Sequence, residues 1–407
     1  MSTPRSLPPA GSDPATLDLA DPLFWTDPQS ILRAARERGP TARTSNGDLV
    51  LLRADDVEFA HSDPRFRNPG VENLERSGIS DGPFYEWRKR SLAALEGDEH
   101  QQLRTWVSRL FTPRQVSRLR EGFRGRADFL LEKAAREKEE IEIVYEYARA
   151  LPLWAVCHFL GIPDEDREEL ASFLFGTEEA FTAALTPEIR ARAEAAIVAL
   201  YEYSQRLIER RLAHPGDDAL SELVASRSEA DGVSDENFLA LIVNIFGGAV
   251  GSTSATIANS IHLLLSHPEQ AELVRREPER IKPAIEECLR FAPPFRIGQR
   301  VVAESLEAFG HALRPGDGIF IWRAAANRDP TRFENPDTFD IERPPNPHIS
   351  FGHGPHFCLG HALGRVQAQQ AILALLTGHP EAALVTRDPE RVPFTMDEKL
   401  TSLIVRL

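Results

Sequence analysis

Residues His348–Arg365 read HISFGHGPHFCLGHALGR, and this stretch decides the fold expected for the chain. Two glycines and a proline precede Cys358, and a segment rich in Ala and Leu, which favour a helix, follows it. The cysteine therefore stands at the start of a helix, where unpaired N–H groups and the positive end of the helix dipole stabilise a thiolate. Glycines also let the backbone pass close to a flat ligand, because they carry no Cβ.

Five positions in this stretch form a pattern with fixed spacing: Phe351, Gly354, His356, Cys358 and Gly360. The pattern resembles the haem-binding signature of the cytochrome P450 family, Phe-x-x-Gly-x-(Arg or His)-x-Cys-x-Gly. The resemblance implies the cytochrome P450 fold, haem b as cofactor, and the Cys358 thiolate as the ligand of the iron. A thiolate in this place pushes electron density toward cleavage of the O–O bond of dioxygen. A purely structural cysteine is the alternative, and the density of the pattern argues against it.

The composition excludes several other classes of protein. The formal charge of −15 argues against nucleic-acid binding, because phosphates require an excess of Lys and Arg. Three widely spaced cysteines, Cys157, Cys288 and Cys358, do not form a disulfide framework. No uninterrupted apolar run predicts a membrane helix, and the Pro-rich first residues lack the apolar core of a signal peptide. We therefore expect a cytoplasmic, monomeric enzyme with no nucleic-acid or membrane partner.

The rest of the chain is typical of one mainly α domain with a small β-rich portion. Apolar residues recur three and four positions apart in the predicted helices, and the predicted strands are short. We expect residues 1–20 to be a flexible segment and residues 21–407 to be a single domain. The predicted helices are 99–111, 116–135, 164–175, 187–213 and 234–266, and the predicted strands are 47–52, 301–302, 318–321 and 401–407.

Two charged residues three positions apart, Glu287 and Arg290, share one face of a predicted helix. Such a pair is common on protein surfaces. The resemblance to the cytochrome P450 family implies instead that the pair is buried and joins Arg343 in a structural triad. We expect this triad to support folding and the haem pocket rather than the chemistry.

The resemblance further implies a set of cations for the two haem propionates. His100 and Arg104 lie four residues apart on one predicted helix face, and Arg300 and His348 are the other matching positions. Arginine suits this task because its planar fork binds a carboxylate with two hydrogen bonds. Arg296 is the alternative to Arg300.

The segment 246–253, FGGAVGST, departs from the family pattern. Each of its three glycines costs about 1 kcal/mol relative to Ala in a helix interior, which favours close approach of a ligand, a local bulge or tight helix packing. In most members an acid followed by Thr delivers protons to bound dioxygen here. The acid position falls on Gly251, which cannot relay a proton, and the alcohol position on Ser252. A shift of one residue makes Thr253 the alcohol and still supplies no acid.

Three reactions remain open for such a protein. The first is ordinary monooxygenation, with Ser252 and water, or a group of the substrate, replacing the acid. The second is peroxide-driven oxidation, and the third is an atypical oxidation such as coupling or desaturation. A haem protein that senses a small gas without turnover is the alternative from another class.

The resemblance implies O2 and a small organic substrate, and aromatic residues at the expected pocket favour an apolar or aromatic compound. The chain has no Gly-rich dinucleotide fingerprint, so we expect electrons from a separate ferredoxin and an NAD(P)H-dependent ferredoxin reductase. An acidic ferredoxin requires a basic patch, for which Arg104, Arg109 and Arg114 are candidates. The predicted substrate-pocket residues are Phe84, Phe246, Gly248, Phe295 and Phe394.

Overall fold

Helices make up most of the computed structural model, which describes residues 14–178, 185–229 and 233–407. The helices are α1 Pro22–Thr26, α2 Pro28–Arg38, α3 Ala54–Ser62, α4 Glu72–Arg76, α5 Pro83–Lys89, α6 Gly97–Ser108, α7 Pro113–Glu137, α8 Ala150–Leu160, α9 Arg167–Glu178, α10 Pro187–Ala213, α11 Ala219–Ala225, α12 Asp235–Ser266, α13 Pro268–Arg276, α14 Ile281–Phe291, α15 Arg323–Ala326 and α16 His361–Gly378. The strands are β1 Ala15–Leu17, β2 Thr41–Thr44, β3 Leu49–Leu51, β4 Phe66–Arg67, β5 Glu140–Glu142, β6 Ile297–Val302, β7 Leu306–Ala308, β8 His311–Leu313, β9 Gly318–Trp322, β10 Ala383–Leu384 and β11 Ile404–Arg406.

Capping residues set the ends of the long helices. The Ser234 hydroxyl accepts a hydrogen bond from the N–H of Asn237 at 3.1 Å and so satisfies a free donor at the start of α12. Thr186 caps α10, whose first residue is a proline, and α8 ends at Gly161 in the left-handed conformation. The predicted mainly α fold is confirmed, and α10 and α12 begin within one residue of their predicted starts.

Six strands form the principal sheet, in the order β1-β2-β3-β9-β6-β4. β1 pairs in parallel with β2, and its residues Ala15 and Leu17 are buried. The predicted flexible segment 1–20 is therefore too long, since its residues 14–20 belong to the ordered part of the chain. Residues 1–13 lie outside the described residues. The predicted final strand 401–407 is shorter than expected and comprises β11 alone.

The 32-residue helix α12 runs through the core and packs against α8, α10, α14 and α16. By length and composition alone it would be able to cross a membrane. Its most apolar window is 56% buried inside the protein, which is the behaviour of a core helix.

Packing between α12 and α16 positions the cysteine loop. Cys358 lies three residues before α16, and Leu359 and Leu363 pack against the same buried cluster that contains Val250 of α12. The middle of α12 therefore lies close to the loop, although the two segments are far apart in sequence.

Candidate active site

The loop before α16 is closed by glycine conformations and one backbone hydrogen bond. Gly352 and Gly354 have φ values of +74° and +67°, in the left-handed region that side chains disfavour. A Cβ on Gly354 would lie 2.5 Å from the carbonyl oxygen of His61. The N–H of Cys358 donates to the carbonyl of Phe351 at 2.9 Å, which turns the cysteine back over the loop.

Cys358 is accessible to solvent, but protein atoms surround much of its thiol group and so partly bury it. This burial raises the pKa of the Cys358 thiol, whereas the N–H of Gly360 and the charges of Arg104 and Arg365 act in the opposite direction. A metal ion binds the deprotonated sulfur, so ligation of a metal shifts the balance to the thiolate.

One face of α12 is open in the middle of an otherwise buried helix. Gly247 and Gly248 are exposed, and Gly251 and Ser252, three and four residues after Gly248, are partly exposed. Residues at this spacing share a helix face. Thr253 is buried on another side, so Ser252 is the alcohol of the open face. We call the region between this face and residues 351–360 the Cys358 cleft.

Glycines on both walls of the Cys358 cleft leave room for a flat group. Among the described residues, a Cβ placed on Gly247 or Gly248 of α12 meets no atom within 4 Å, and the same holds for Gly360 and Gly364 at the start of α16. Glycine in a helix interior is costly, and no neighbour in the described part of the chain requires it here. The two walls therefore fit a planar ring such as haem.

His100 and Arg104 project from α6 toward the cysteine loop. Within the described residues no hydrogen-bond partner reaches the buried Nε2 of His100. Burial, with the nearby His356 and Arg104, lowers the pKa of His100 to about 4. Arg104 donates to the carbonyl of Phe357, and the ring of His356 lies 4.0 Å from that of His100.

Arg300 reaches the same region from β6. It is buried, and its Nη2 lies 2.5 Å from Nδ1 of His61. Burial and the positive charge of Arg323 lower its pKa to about 10. The carboxylate of Glu96 acts in the opposite direction and raises the pKa of Arg300. The Oε2 of Glu96 also lies 3.0 Å from Nε2 of His356.

The guanidinium groups of Arg104 and Arg300, and the Nε2 of His100, which has no partner in the part of the chain that the structure describes, fit anionic groups such as the two propionates of haem. His61 and Arg323 belong to this set, and the sequence analysis missed them. No motif marks either residue, because each comes from an element that only the tertiary structure brings beside Arg300.

His348 has protein partners in this structure, and its expected contact with a propionate stays a prediction. Its Nε2 lies 3.1 Å from Oε2 of Glu286, and its Nδ1 accepts a hydrogen bond from the N–H of Ser350 at 3.3 Å. Both ring nitrogens therefore have a protein partner, as the guanidinium groups of Arg104 and Arg300 also do. Arg365 binds Glu286 through two hydrogen bonds and lies over the ring of Phe351. His348 and Arg365 thus hold the loop to α14.

The structure brings Glu287, Arg290 and Arg343 together, as the sequence analysis predicts. Arg290 and Glu287 are completely buried and joined by two hydrogen bonds of 2.7 Å. Arg343 approaches Glu287 at 3.3 Å. Arg290 also donates to three backbone carbonyls, those of residues 327, 336 and 338. The pair therefore stabilises the segment that leads to the cysteine loop.

The predicted pocket residues are distributed differently. Gly248 lies on the open face of α12, and Phe295 is exposed. Phe84 and Phe246 are buried in a hydrophobic core cluster, and their place in the pocket wall stays a prediction. Phe394 has a φ of +57° and packs against the tryptophan of α1.

Arg296 is the remaining alternative from the sequence, and the structure places it elsewhere. It is buried, bonds Glu398 at 3.0 Å and donates to the carbonyl of Thr395. These partners occupy its guanidinium, so it neither replaces Arg300 nor offers a free charge to an anionic substrate.

Comparison with known proteins identifies the family. The model of the cytochrome P450 family matches residues 181–379. The luteothin monooxygenase of Streptomyces thioluteus is 31% identical over 381 residues, which are 93% of this chain and 92% of that protein. The vitamin D(3) 25-hydroxylase of Pseudonocardia autotrophica is 32% identical over 373 residues, 90% of each chain.

Solved structures agree with the sequence comparisons. The crystal structure of CalO2 superposes with a TM-score of 0.90 at 29% identity and covers 97% of this chain and 99% of that one. The likeness therefore extends beyond the matched family segment to nearly the whole fold. The chain belongs to the cytochrome P450 family and is a P450 oxidoreductase.

Proposed function

We propose that the protein is a monooxygenase that inserts one oxygen atom from O2 into a small, largely apolar or aromatic organic substrate. The observation that carries this proposal is the open glycine face of α12 near the Cys358 loop, with Ser252 on the same face. A flat group bound between the two walls would have the Cys358 loop on one side, which leaves the α12 side for oxygen and substrate.

The proposed cofactor is haem b, with Cys358 as the ligand of its iron. His100, Arg104, Arg300 and His356 hold the propionates, and His61 adds a further donor beside Arg300. When bound, haem supplies oxygen activation, and the protein supplies the sulfur ligand, the anion-binding groups and a partly enclosed site.

An apolar or aromatic substrate agrees with the groups around the cleft. The charge of Arg296 is paired with Glu398, and those of Lys399 and Arg149 are paired with Glu178. The other arginines near the cleft, Arg104 and Arg300, belong to the proposed propionate set. Phe295 and the glycines of α12 offer apolar surface instead. A compound with one strong negative charge would therefore find no free partner among these residues.

We further propose that the enzyme is a cytoplasmic monomer that receives electrons from a separate ferredoxin and its NAD(P)H-dependent reductase. Arg104 points inward to the cysteine loop and is no docking residue. Arg109, at the end of α6, is exposed and remains a candidate, whereas the side chain of Arg114 lies outside the described residues.

The experiment starts with small apolar and aromatic compounds, screened by the shift of the ferric absorption spectrum. The best binder is then incubated with ¹⁸O2, a ferredoxin and an NADPH-dependent ferredoxin reductase. One ¹⁸O atom in the product supports the proposal. Product formed with hydrogen peroxide alone indicates a peroxide-driven enzyme, which the missing acid at Gly251 favours. Ligand binding without product under either condition contradicts both and favours a sensor.

A further inference from the structure

The side-chain position of Gly251 is already filled by a group from another helix. A Cβ on Gly251 would lie 2.7 Å from Oε1 of Glu178 and 3.7 Å from Nζ of Lys399. A Cβ on either of the other two glycines of this α12 segment, Gly247 and Gly248, meets no atom of residues 14–178, 185–229 or 233–407 within 4 Å. Gly251 therefore differs from them, because the space beside it holds a carboxylate.

Glu178 is held in this position by two cations. It is the last residue of α9, which packs against α12. Its Oε2 lies 3.1 Å from Nζ of Lys399 and 3.4 Å from Nη2 of Arg149. The side chain is 17% exposed, so the carboxylate is partly shielded from solvent without being sealed from it.

A second carboxyl group stands behind Lys399. Asp397 is buried and lies 2.9 Å from the Lys399 ammonium. Although burial opposes the charge of Lys399, the carboxylates of Asp397 and Glu178 raise the pKa of its ammonium group. Lys399 therefore remains a cation and keeps the Glu178 carboxylate fixed beside Gly251.

Ser252 directly follows Gly251 in α12 and carries the hydroxyl of the open face. Its Oγ lies 3.4 Å from the carbonyl oxygen of Gly248, which is long for a hydrogen bond between oxygens. The hydroxyl is therefore only weakly bound by its own helix and is able to turn toward another partner.

We propose that Glu178 is the proton-relay residue of the Cys358 cleft and replaces the acid that position 251 carries in most family members. This inference rests on the proposed oxygen-dependent function. Glu178 takes up one proton from solvent and gives it to the Ser252 hydroxyl, directly or through one water, while that hydroxyl gives its own proton to a water molecule in the cleft. Glu178 thereby returns to the carboxylate that Lys399 and Arg149 bind. Each O–H bond that breaks is matched by one that forms, and no electron moves.

The geometry is tested first, by thermal unfolding of four proteins: wild type, Gly251→Asp, Glu178→Ala and the double variant. In the presence of Glu178 the new aspartate meets an oxygen at 2.7 Å from its Cβ and a second negative charge. We expect Gly251→Asp to lower Tm by about 2–4 °C in the wild-type background. In the Glu178→Ala background the aspartate pairs with Lys399, and we expect no such loss.

The relay is tested with the substrate selected in the spectral screen and the same redox proteins. We expect Glu178→Gln, which keeps the size of the side chain, to lower oxygen-driven turnover on the order of 100-fold. More NADPH is then spent on hydrogen peroxide, because oxygen reduction lacks its proton. Activity with added peroxide changes by less than about twofold, since the relay is bypassed. The double variant Glu178→Ala/Gly251→Asp regains oxygen-driven turnover and coupling.

The control is Glu169→Gln, which removes a carboxylate from the same helix at an exposed pair with Arg206. We expect it to behave as wild type. Unchanged turnover and coupling in Glu178→Gln, or equal effects of Gly251→Asp in both backgrounds, would overturn the relay. A wild-type protein that forms no product with O2 would overturn the proposed function, while the unfolding data would still report on the contact between residues 178 and 251.

Discussion

The Cys358 loop and the middle of α12 pack against one buried cluster as the two walls of the proposed Cys358 cleft, and their functional groups come from different places. The loop carries the sulfur, its glycines and its backbone hydrogen bonds within residues 351–360. On the α12 wall, the helix itself contributes the hydroxyl of Ser252 to the open face. The carboxylate comes from Glu178 of α9, which lies where a side chain of Gly251 would be. A short contiguous pattern therefore describes the first wall, whereas the second wall depends on packing between helices.

The largest expected effect concerns the loop. Cys358→Ala removes the proposed iron ligand, and we expect complete loss of the strongly red-shifted absorption band of the reduced, carbon monoxide-treated protein and of oxygen-driven turnover. Cys157→Ala is the control, because it also removes a thiol but from the hydrophobic core. A red-shifted band that survives in Cys358→Ala would show that the two walls have been assigned wrongly.

The next effect concerns the support of the loop. Glu287→Gln leaves Arg290 completely buried without its full counter-charge, and we expect the free energy of unfolding to fall by about 3–5 kcal/mol. The exposed pair of Glu169 and Arg206 provides the control, since Glu169→Gln is expected to cost less than about 1 kcal/mol. Urea unfolding measures both. Similar losses in the two variants would mean that the buried Glu287–Arg290 pair contributes no more to stability than the exposed pair.

Alanine substitution of glycine should have opposite signs in the two walls. Gly354→Ala places a Cβ against a carbonyl of α3 at a left-handed φ, and we expect a loss of about 1–3 kcal/mol. Gly247→Ala meets no atom and removes a helix-interior glycine, so we expect the haem-free protein to gain about 1 kcal/mol. Urea unfolding of the haem-free proteins checks the signs. If both substitutions change the free energy of unfolding in the same direction, the glycines of the two walls do not differ in the way proposed.

An effect similar in size to those of the glycine variants is the pH dependence of the contact between the loop and α14. Burial raises the pKa of Glu286, but the hydrogen bonds from His348 and Arg365 outweigh it and lower this pKa from 4.5 to about 2. Because the folded value lies below the unfolded one, the contribution is complete above about pH 4.5 and is lost as the pH falls toward 2. We expect a loss on the order of 2 kcal/mol.

Urea unfolding of the wild type and Glu286→Gln over this pH range checks the prediction. The difference in unfolding free energy between the two proteins should shrink as the pH falls, because the wild-type carboxylate becomes protonated. A constant difference would mean that Glu286 contributes through packing rather than charge.

Sequence patterns were sufficient wherever the relevant residues are close together in the chain. The Cys358 loop, the long helices and the Glu287–Arg290 pair depend on spacings of a few residues, which local geometry converts directly into shared faces and turns. Membership of the cytochrome P450 family follows from the same short patterns and is confirmed by the comparisons.

Only the tertiary structure decided which side of each element faces the cleft. Phe84 and Phe246 are aromatic, as a pocket requires, and the packing of the helices around them places both in a buried cluster. His348 has the chemistry of a propionate partner, and only the tertiary structure shows Glu286 of α14 beside it.

The sequence alone thus determined the family, the fold and the sulfur ligand expected for the iron. The structure alone placed Glu178 beside Gly251, and His61 and Arg323 near Arg300. The physical reason is the range of the interactions. Backbone turns and helix faces are set by neighbours in the chain, whereas burial, charge pairing and the filling of space beside a glycine depend on whichever distant segment packs there.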